Sequence, residues 1–257
     1  MTRKTLSCAF IGLLAVSSVW GAAGGQDRIE KPPIFRETYP LVSESDFYCS
    51  FFVLKEIPAV RIEAADSADG MTLIGENALV WARGAAVRPG QVFVVVERNA
   101  PAPGSKRVGP GPIAFRQGRL RVIRTEGERF LARIEKACGA IQAGAFLLPF
   151  EDKAPILGKD AGYDTLFRAG EVPTGRLVFF RDEVMQAGAG DWVLIDIGSD
   201  KGLRVGQQLT VYGKPEGKLP ARAVANAVIV DAGPAWATVK VLSARDVLHL
   251  GDLIQVK

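Results

Sequence analysis

The one histidine of this 257-residue chain, His249, stands next to a turn in Leu248-His249-Leu250-Gly251. A histidine acting as a general base needs a nucleophile within hydrogen-bond reach and a third group to orient it. The sequence carries no Gly-x-Ser-x-Gly elbow to supply that nucleophile, and one histidine does not make a His-rich zinc site. His249 is therefore expected as an exposed turn residue. Carboxylates crowd the last third of the chain: Asp191, Asp196, Asp200, Asp231, Asp246 and Asp252. Most stand beside glycine or at the ends of apolar runs, where a short carboxylate accepts from nearby backbone N–H groups. Their spacing fits no EF-hand loop, and no Gly-x-x-x-x-Gly-Lys phosphate loop is present. A carboxylate-pair hydrolase or a calcium site is thus the less favoured chemistry. The expectation is a chain that is not an enzyme, with no catalytic residue, cofactor or metal.

Two further groups of residues carry potential chemistry. Of three cysteines, Cys8 lies in a leader-like stretch, leaving Cys49 and Cys138. In an oxidising compartment these two can pair and tie the N-terminal segment to the middle of the chain; two unpaired, partly buried thiols are the alternative. No C-x-x-C redox motif is present. Lys106, Arg107, Arg116, Arg119, Arg121 and Arg124 succeed one another without an intervening Asp or Glu, in a Pro- and Gly-rich loop leading into a strand. Such a patch would attract an anionic partner: lipid headgroups, an anionic glycan or an acidic protein. Its plainer reading is a solvated loop and strand face.

The elements that position these residues begin after a leader. Arg3 and Lys4 precede an apolar run from Ala9 to Trp20, and Gly21-Ala22-Ala23 offers a small-residue cleavage site. Residues 1–23 are expected as a signal peptide cleaved near Ala23, because the run is too short to span about 30 Å of hydrocarbon as a helix. Leu6-Ser7-Cys8 precedes the apolar run instead of coming after it, which excludes a lipoprotein box. Arg3 and Lys4 supply half of the formal charge of +4, so the mature chain has no basic excess that would point to nucleic acid.

Beyond the leader the chain repeats itself. Gly75 to Gly84, then Val87-Arg88-Pro89-Gly90-Gln91 and a strand, is matched by Gly190 to Gly198, then Val205-Gly206-Gln207 and a strand. Downstream, Ile141 to Leu147 matches Leu248 to Ile254. Agreement in order, spacing and chemistry over most of a module predicts an internal duplication, with Gly84 placed near Gly198 and Gly144 near Gly251. Short runs rich in β-branched and aromatic residues, separated by glycine turns, predict β structure throughout. Trp236 to Val241 alternates, which places Thr238 and Lys240 in water. Ala132 to Ala140 allows at most a short helix. The expected fold class is all-β, with two tandem small SH3-like β-barrel modules after the signal peptide. Closure would remove exposed sheet edges, and an open sandwich is the alternative. Residues 62–150 form module 1, residues 151–172 a linker and residues 173–257 module 2. Residues 24–61 are an N-terminal segment whose Asp46 to Val53 reads as a strand packing on module 1.

Gly190 to Gly198, Gly206 and the closing Leu250-Gly251-Asp252-Leu253-Ile254 resemble the C-terminal domain of flagellar assembly protein T, a small SH3-like barrel. Similar modules occur in exported bacterial proteins that carry a LysM domain, and Asp46 to Val53 looks like the segment that opens their repeated region. The resemblance implies a fold, and the leader an exported setting in the periplasm or cell envelope. The function expected is an exported, non-catalytic envelope protein serving as a protein-interaction or assembly module. Its alternative is a peptidoglycan or cell-wall binding protein, and an envelope hydrolase comes last.

Overall fold

The computed structural model describes residues 39–67, 73–98, 112–164, 166–181, 184–214 and 220–257. The expected signal peptide and the loop with Lys106 and Arg107 lie outside the described residues.

The described chain opens with strand β1 (Tyr39–Val42), helix α1 (Glu44–Cys49) and strand β2 (Phe51–Val53). Ser43 caps the helix: its hydroxyl accepts from the Asp46 N–H, and the Asp46 carboxylate accepts from the Ser43 N–H at 2.8 Å. That reciprocal capping box explains why half of the expected Asp46 to Val53 strand is a helix instead, since it satisfies two otherwise orphaned donors. The strand reading holds only for Phe51–Val53.

A first antiparallel barrel comes next. Its strands are β3 (Arg61–Ala65), β5 (Leu79–Arg83), β6 (Val92–Arg98), β7 (Ile113–Glu126), β8 (Arg129–Ala137) and β10 (Phe146–Pro149); β4 (Leu73–Ile74) and β9 (Ile141–Gln142) form a small ribbon beside it. The ring runs β3-β5-β8-β7-β6-β10 and returns to β3, while β2 adds to the free part of β7. The short helix allowed at Ala132 to Ala140 is strand β8 over most of its length. Strand β11 (Ile156–Gly158) lies in the expected linker and pairs with β1.

The second barrel comprises β12 (Thr174–Phe180), β14 (Trp192–Ile195), β15 (Gln208–Tyr212), β16 (Ala223–Ala232), β17 (Ala237–Ala244) and β19 (Leu253–Val256), with β13 (Gln186–Ala187) and β18 (Leu248–His249) as its ribbon. Its ring, β12-β14-β17-β16-β15-β19, repeats the first strand for strand. Three register shifts recur at matching places: Ile62/Ala64 with Leu177/Phe179, Arg119/Leu120 with Asn226/Ala227, and Val122/Arg124 with Ile229/Asp231.

The turns recur at atomic detail. Gly90 (φ 82°) donates its N–H to the Val122 carbonyl at 2.8 Å, and Gly206 (φ 87°) does the same to Ile229 at 2.8 Å. Each turn is closed by a glutamine side chain, Gln91 or Gln207, accepting from Arg88 or Arg204. A Cβ is disfavoured at that positive φ, which fixes glycine at both places. Gly144 and Gly251 match as expected, donating to Ile62 and Leu177 at 2.8 and 2.7 Å. The other expected pair is offset by one residue. The ladders align Gly84 with Ile197, because Ile134 bonds Ala78 as Val241 bonds Asp191.

Each barrel encloses its own apolar core, around Phe93, Phe130 and Leu120 in the first and Val193, Leu209 and Ile229 in the second. A third cluster lies between them. There Phe47, Phe51 and Val53 meet Ile113 and Phe115 of the first barrel and Phe179, Trp192, Leu194, Val228 and Trp236 of the second. The N-terminal segment is thus a wedge shared by both barrels, beyond its expected packing on module 1. This wedge also explains Thr238 and Lys240, which were expected in water. Thr238 is buried and donates its hydroxyl to the Phe51 carbonyl at 2.9 Å; Lys240 reaches Asp46 at 2.6 Å.

Cys49 and Cys138 form a disulfide with Cα atoms 5.5 Å apart, fastening the end of α1 to the end of β8. The expected linker is equally engaged. Asp160 accepts from Ser243 at 2.7 Å and from Asn226, while Gln208, Thr210 and Gln255 side chains accept from the N–H groups of Ala161, Asp164 and Arg168. Residues 156–164 and 166–168 therefore act as a strap over the second barrel.

Candidate binding cleft

The basic residues singled out in the sequence are drawn into internal pairs wherever they are described. Arg116 stands on β7, half-way between the barrels. Its guanidinium donates to Ser50 Oγ at 2.6 Å and to Asp231 Oδ2 at 2.7 Å, and lies 4.3 Å from the centre of the Phe52 ring. Only 14% of its side chain is exposed. Arg119 lies over the Tyr48 and Phe150 rings and pairs with Glu135 at 3.0 Å. Arg121 also pairs with Glu135, and Arg124 with Glu126 at 3.2 Å while lying over Trp81. Arg116 and Arg119 thus hold the wedge in place, whereas Arg121 and Arg124 keep half-exposed side chains on the outer face of the first barrel. Glu135, the one carboxylate of the neighbouring strand β8, could have announced this pairing, because it reaches both Arg119 and Arg121.

The aspartates sit where turn chemistry places them. Asp191 accepts from the Gly188 N–H at 2.8 Å, and Asp252 from the His249 N–H at 2.7 Å. Others reach further: Asp196 accepts from the Arg176 N–H at 2.6 Å, Asp246 pairs with Arg222, and Asp231 serves the junction, binding Arg116, with Lys153 at 3.8 Å. His249 is exposed on β18, beside Gln186. Among the described residues, no three His, Cys, Asp or Glu side chains converge on a point where a metal ion could bind.

The arrangement that sequence reasoning missed is a cleft of about 780 Å³ between the barrels. Phe52, Val53 and Leu54 of the wedge form one wall, Val94 and Leu148 of the first barrel another, and the Asp231-to-Trp236 turn of the second barrel a third. The Arg116–Asp231 ion pair and Lys153 also line it. Its size lies within the range of about 300–1,000 Å³ usual for ligand sites, and junctions between domains are where such sites concentrate. No local motif signals it, since its walls come from four distant stretches of chain.

The wedge is held by electrostatics as well as packing. The Tyr48 hydroxyl donates to Glu44 Oε1 at 2.6 Å. Burial, and after it this bond to a carboxylate, pushes the phenol up to about 12. In the strap, burial alone would raise the Asp160 carboxyl, yet bonds from Ser243, the Gly162 N–H and Asn226 outweigh it and hold the group below its ordinary value.

The sequence matches no protein-family model, and no curated protein is similar enough to be matched.

Proposed function

We propose that this chain is an exported, non-catalytic envelope protein that binds a partner protein in the cleft between its two barrels. The observation that carries the reading is the way the cleft is built: wedge, disulfide and strap join two barrels so that their junction is a fixed concavity with apolar walls. Rigid placement of a cleft lowers the ordering cost of binding, which favours recognition. Export is supported by the leader-like residues 1–23 and by a disulfide suited to an oxidising compartment. Likeness to the C-terminal barrel of flagellar assembly protein T belongs to the same proposal; two closed six-stranded barrels are consistent with SH3-like modules. Fold alone gives no partner.

The test places a photo-cross-linking residue at Leu148, inside the cleft, or at Leu73, exposed outside it. With the full chain expressed in a bacterial envelope, a defined protein adduct from position 148 and none from position 73 is expected. Adducts of equal yield from both positions, or from neither, would overturn the reading. Binding to purified sacculi that survives blocking of the cleft by a bulky label at position 148 would instead support peptidoglycan recognition.

A further inference from the structure

Among the described residues the outward edge of β2 carries no paired strand, although Thr238 of β17 covers its Phe51 end. In the seven-stranded order, β2 is terminal and has β7 as its single neighbour. The hydrogen bonds reveal which way each residue faces. Arg116 donates its N–H to the Ser50 carbonyl at 2.9 Å, and Leu54 donates to Pro112 at 2.8 Å. Residues 50, 52 and 54 therefore turn their main-chain groups toward β7, and residues 51 and 53 turn theirs away. The Phe51 carbonyl confirms the alternation, since it accepts the Thr238 hydroxyl from the opposite side.

Val53 shares that outward edge. It is 7% exposed and lines the cleft, and among the described residues neither its N–H nor its C=O has a hydrogen-bond partner. Main-chain groups in such a place find a partner in the protein, in water or in a ligand. A second unpaired donor lies on the facing wall. Trp236 is also 7% exposed, and its indole nitrogen sits against Gly233, so close that a Cβ there would fall 2.3 Å from it. No acceptor among the described residues meets that N–H. Val53 and Trp236 line the same cleft, with the apolar Phe52 and Leu148 beside them.

We infer that the cleft takes an extended segment of the partner protein, paired in strand fashion to the Val53 end of the β2 edge. The segment's main chain pairs with Val53 and reaches Trp236 Nε1, and its alternate apolar side chains lie on Phe52 and Leu148. Edge pairing of this kind draws affinity from main-chain bonds, with the side-chain pockets giving selectivity. The inference rests on the protein-binding reading above and adds the conformation and the contact edge of the bound segment.

The experiment uses the ¹⁵N-labelled full mature chain and a blocked heptapeptide of alternating valine and threonine. A second peptide of the same sequence is N-methylated at every amide, which removes strand pairing and keeps the side chains. Shifts at the Val53 amide and the Trp236 indole N–H are expected, with slowed exchange at Val53, for the first peptide alone. Trp236→Phe keeps an aromatic ring and is expected to weaken binding about five-fold, the loss of one net hydrogen bond. Equal binding of the N-methylated peptide, or an unmoved Val53 resonance, overturns the inference. A cleft-specific adduct from position 148 with Val53 unmoved sinks strand addition and leaves the interaction reading standing. Strand pairing without any adduct does the reverse.

Discussion

Phe51→Ala tests the wedge as the element that couples the barrels. Phe51 is fully buried, and its ring meets Phe115 of the first barrel edge-on at 6.0 Å and Phe179 of the second at 5.4 Å. A buried phenylalanine removes about 150–250 Å² from water, or roughly 4–6 kcal/mol at about 25 cal/mol per Å². Alanine retains part of this, and the measured range for such truncations is about 3–5 kcal/mol. Nearly all of that loss falls on contacts between the barrels, because neither barrel's own core contains Phe51. The variant should therefore separate two events that the intact wedge joins. In urea, fluorescence of Trp192 and Trp236, both at the junction, should change before the far-ultraviolet circular dichroism of the strands. Phe130→Ala serves as the comparison, since Phe130 packs inside the first barrel against Phe93. There the strand signal should fall with or before the tryptophan signal. A single transition for Phe51→Ala, with both probes coincident and a loss under about 1 kcal/mol, would refute the coupling role.

Cys49→Ser opens a bridge spanning 89 residues and should lower stability by about 2–5 kcal/mol; reduction of the native chain should reproduce the shift in urea midpoint, and leave the variant unchanged. Asp160 holds its proton less tightly when folded than its ordinary value of 3.8. Its contribution to stability is thus present above about pH 4 and is lost as the pH falls further, through the lowered folded value. Asp160→Asn should flatten the stability profile in that acid window and leave its alkaline side unaltered. Gly198→Ala should destabilise far more than Gly84→Ala in thermal melts. A Cβ at Gly198 meets main chain at 2.1 Å from the Gly233 oxygen, whereas at Gly84 it meets the Val60 side chain alone. Equal shifts in melting temperature would contradict that reading.

The repeat was legible because turns constrain sequence tightly. A positive φ at Gly90 and Gly206, or Gly144 and Gly251, admits few residues other than glycine, so the pattern persists where strand residues vary. The junction was hidden for the opposite reason. Alternation in Trp236 to Val241 marks two faces correctly, yet periodicity does not say what covers the outer one. A clue lay in β16, where Ala223 to Val230 is buried at every position. Its nearly unbroken apolar run lacks the alternation of a half-exposed strand, and such runs accompany burial on both faces. Likewise, the arginines of β7 look like an uncompensated patch when read along the chain. Arg119 and Arg121 pair with Glu135 of the neighbouring strand, and through space Arg116 reaches Asp231, 115 residues away. Those pairings are products of closure, which no local window contains.

The wedge also imposes an order on assembly. Phe51 is joined to Thr238 across 187 positions of sequence, so as the chain emerges N-terminus first, its apolar wedge residues precede their second partner by most of the protein's length. The first barrel ends at Pro149 and Cys138 lies within it, so the disulfide can close before the second barrel exists. Oxidation at that stage would park Phe47, Phe51 and Val53 against β7 and shorten the search that β17 must later complete, a search whose slowness grows with sequence separation. A chain lacking the bridge would expose the same apolar residues for the whole interval, the condition under which partly folded intermediates aggregate.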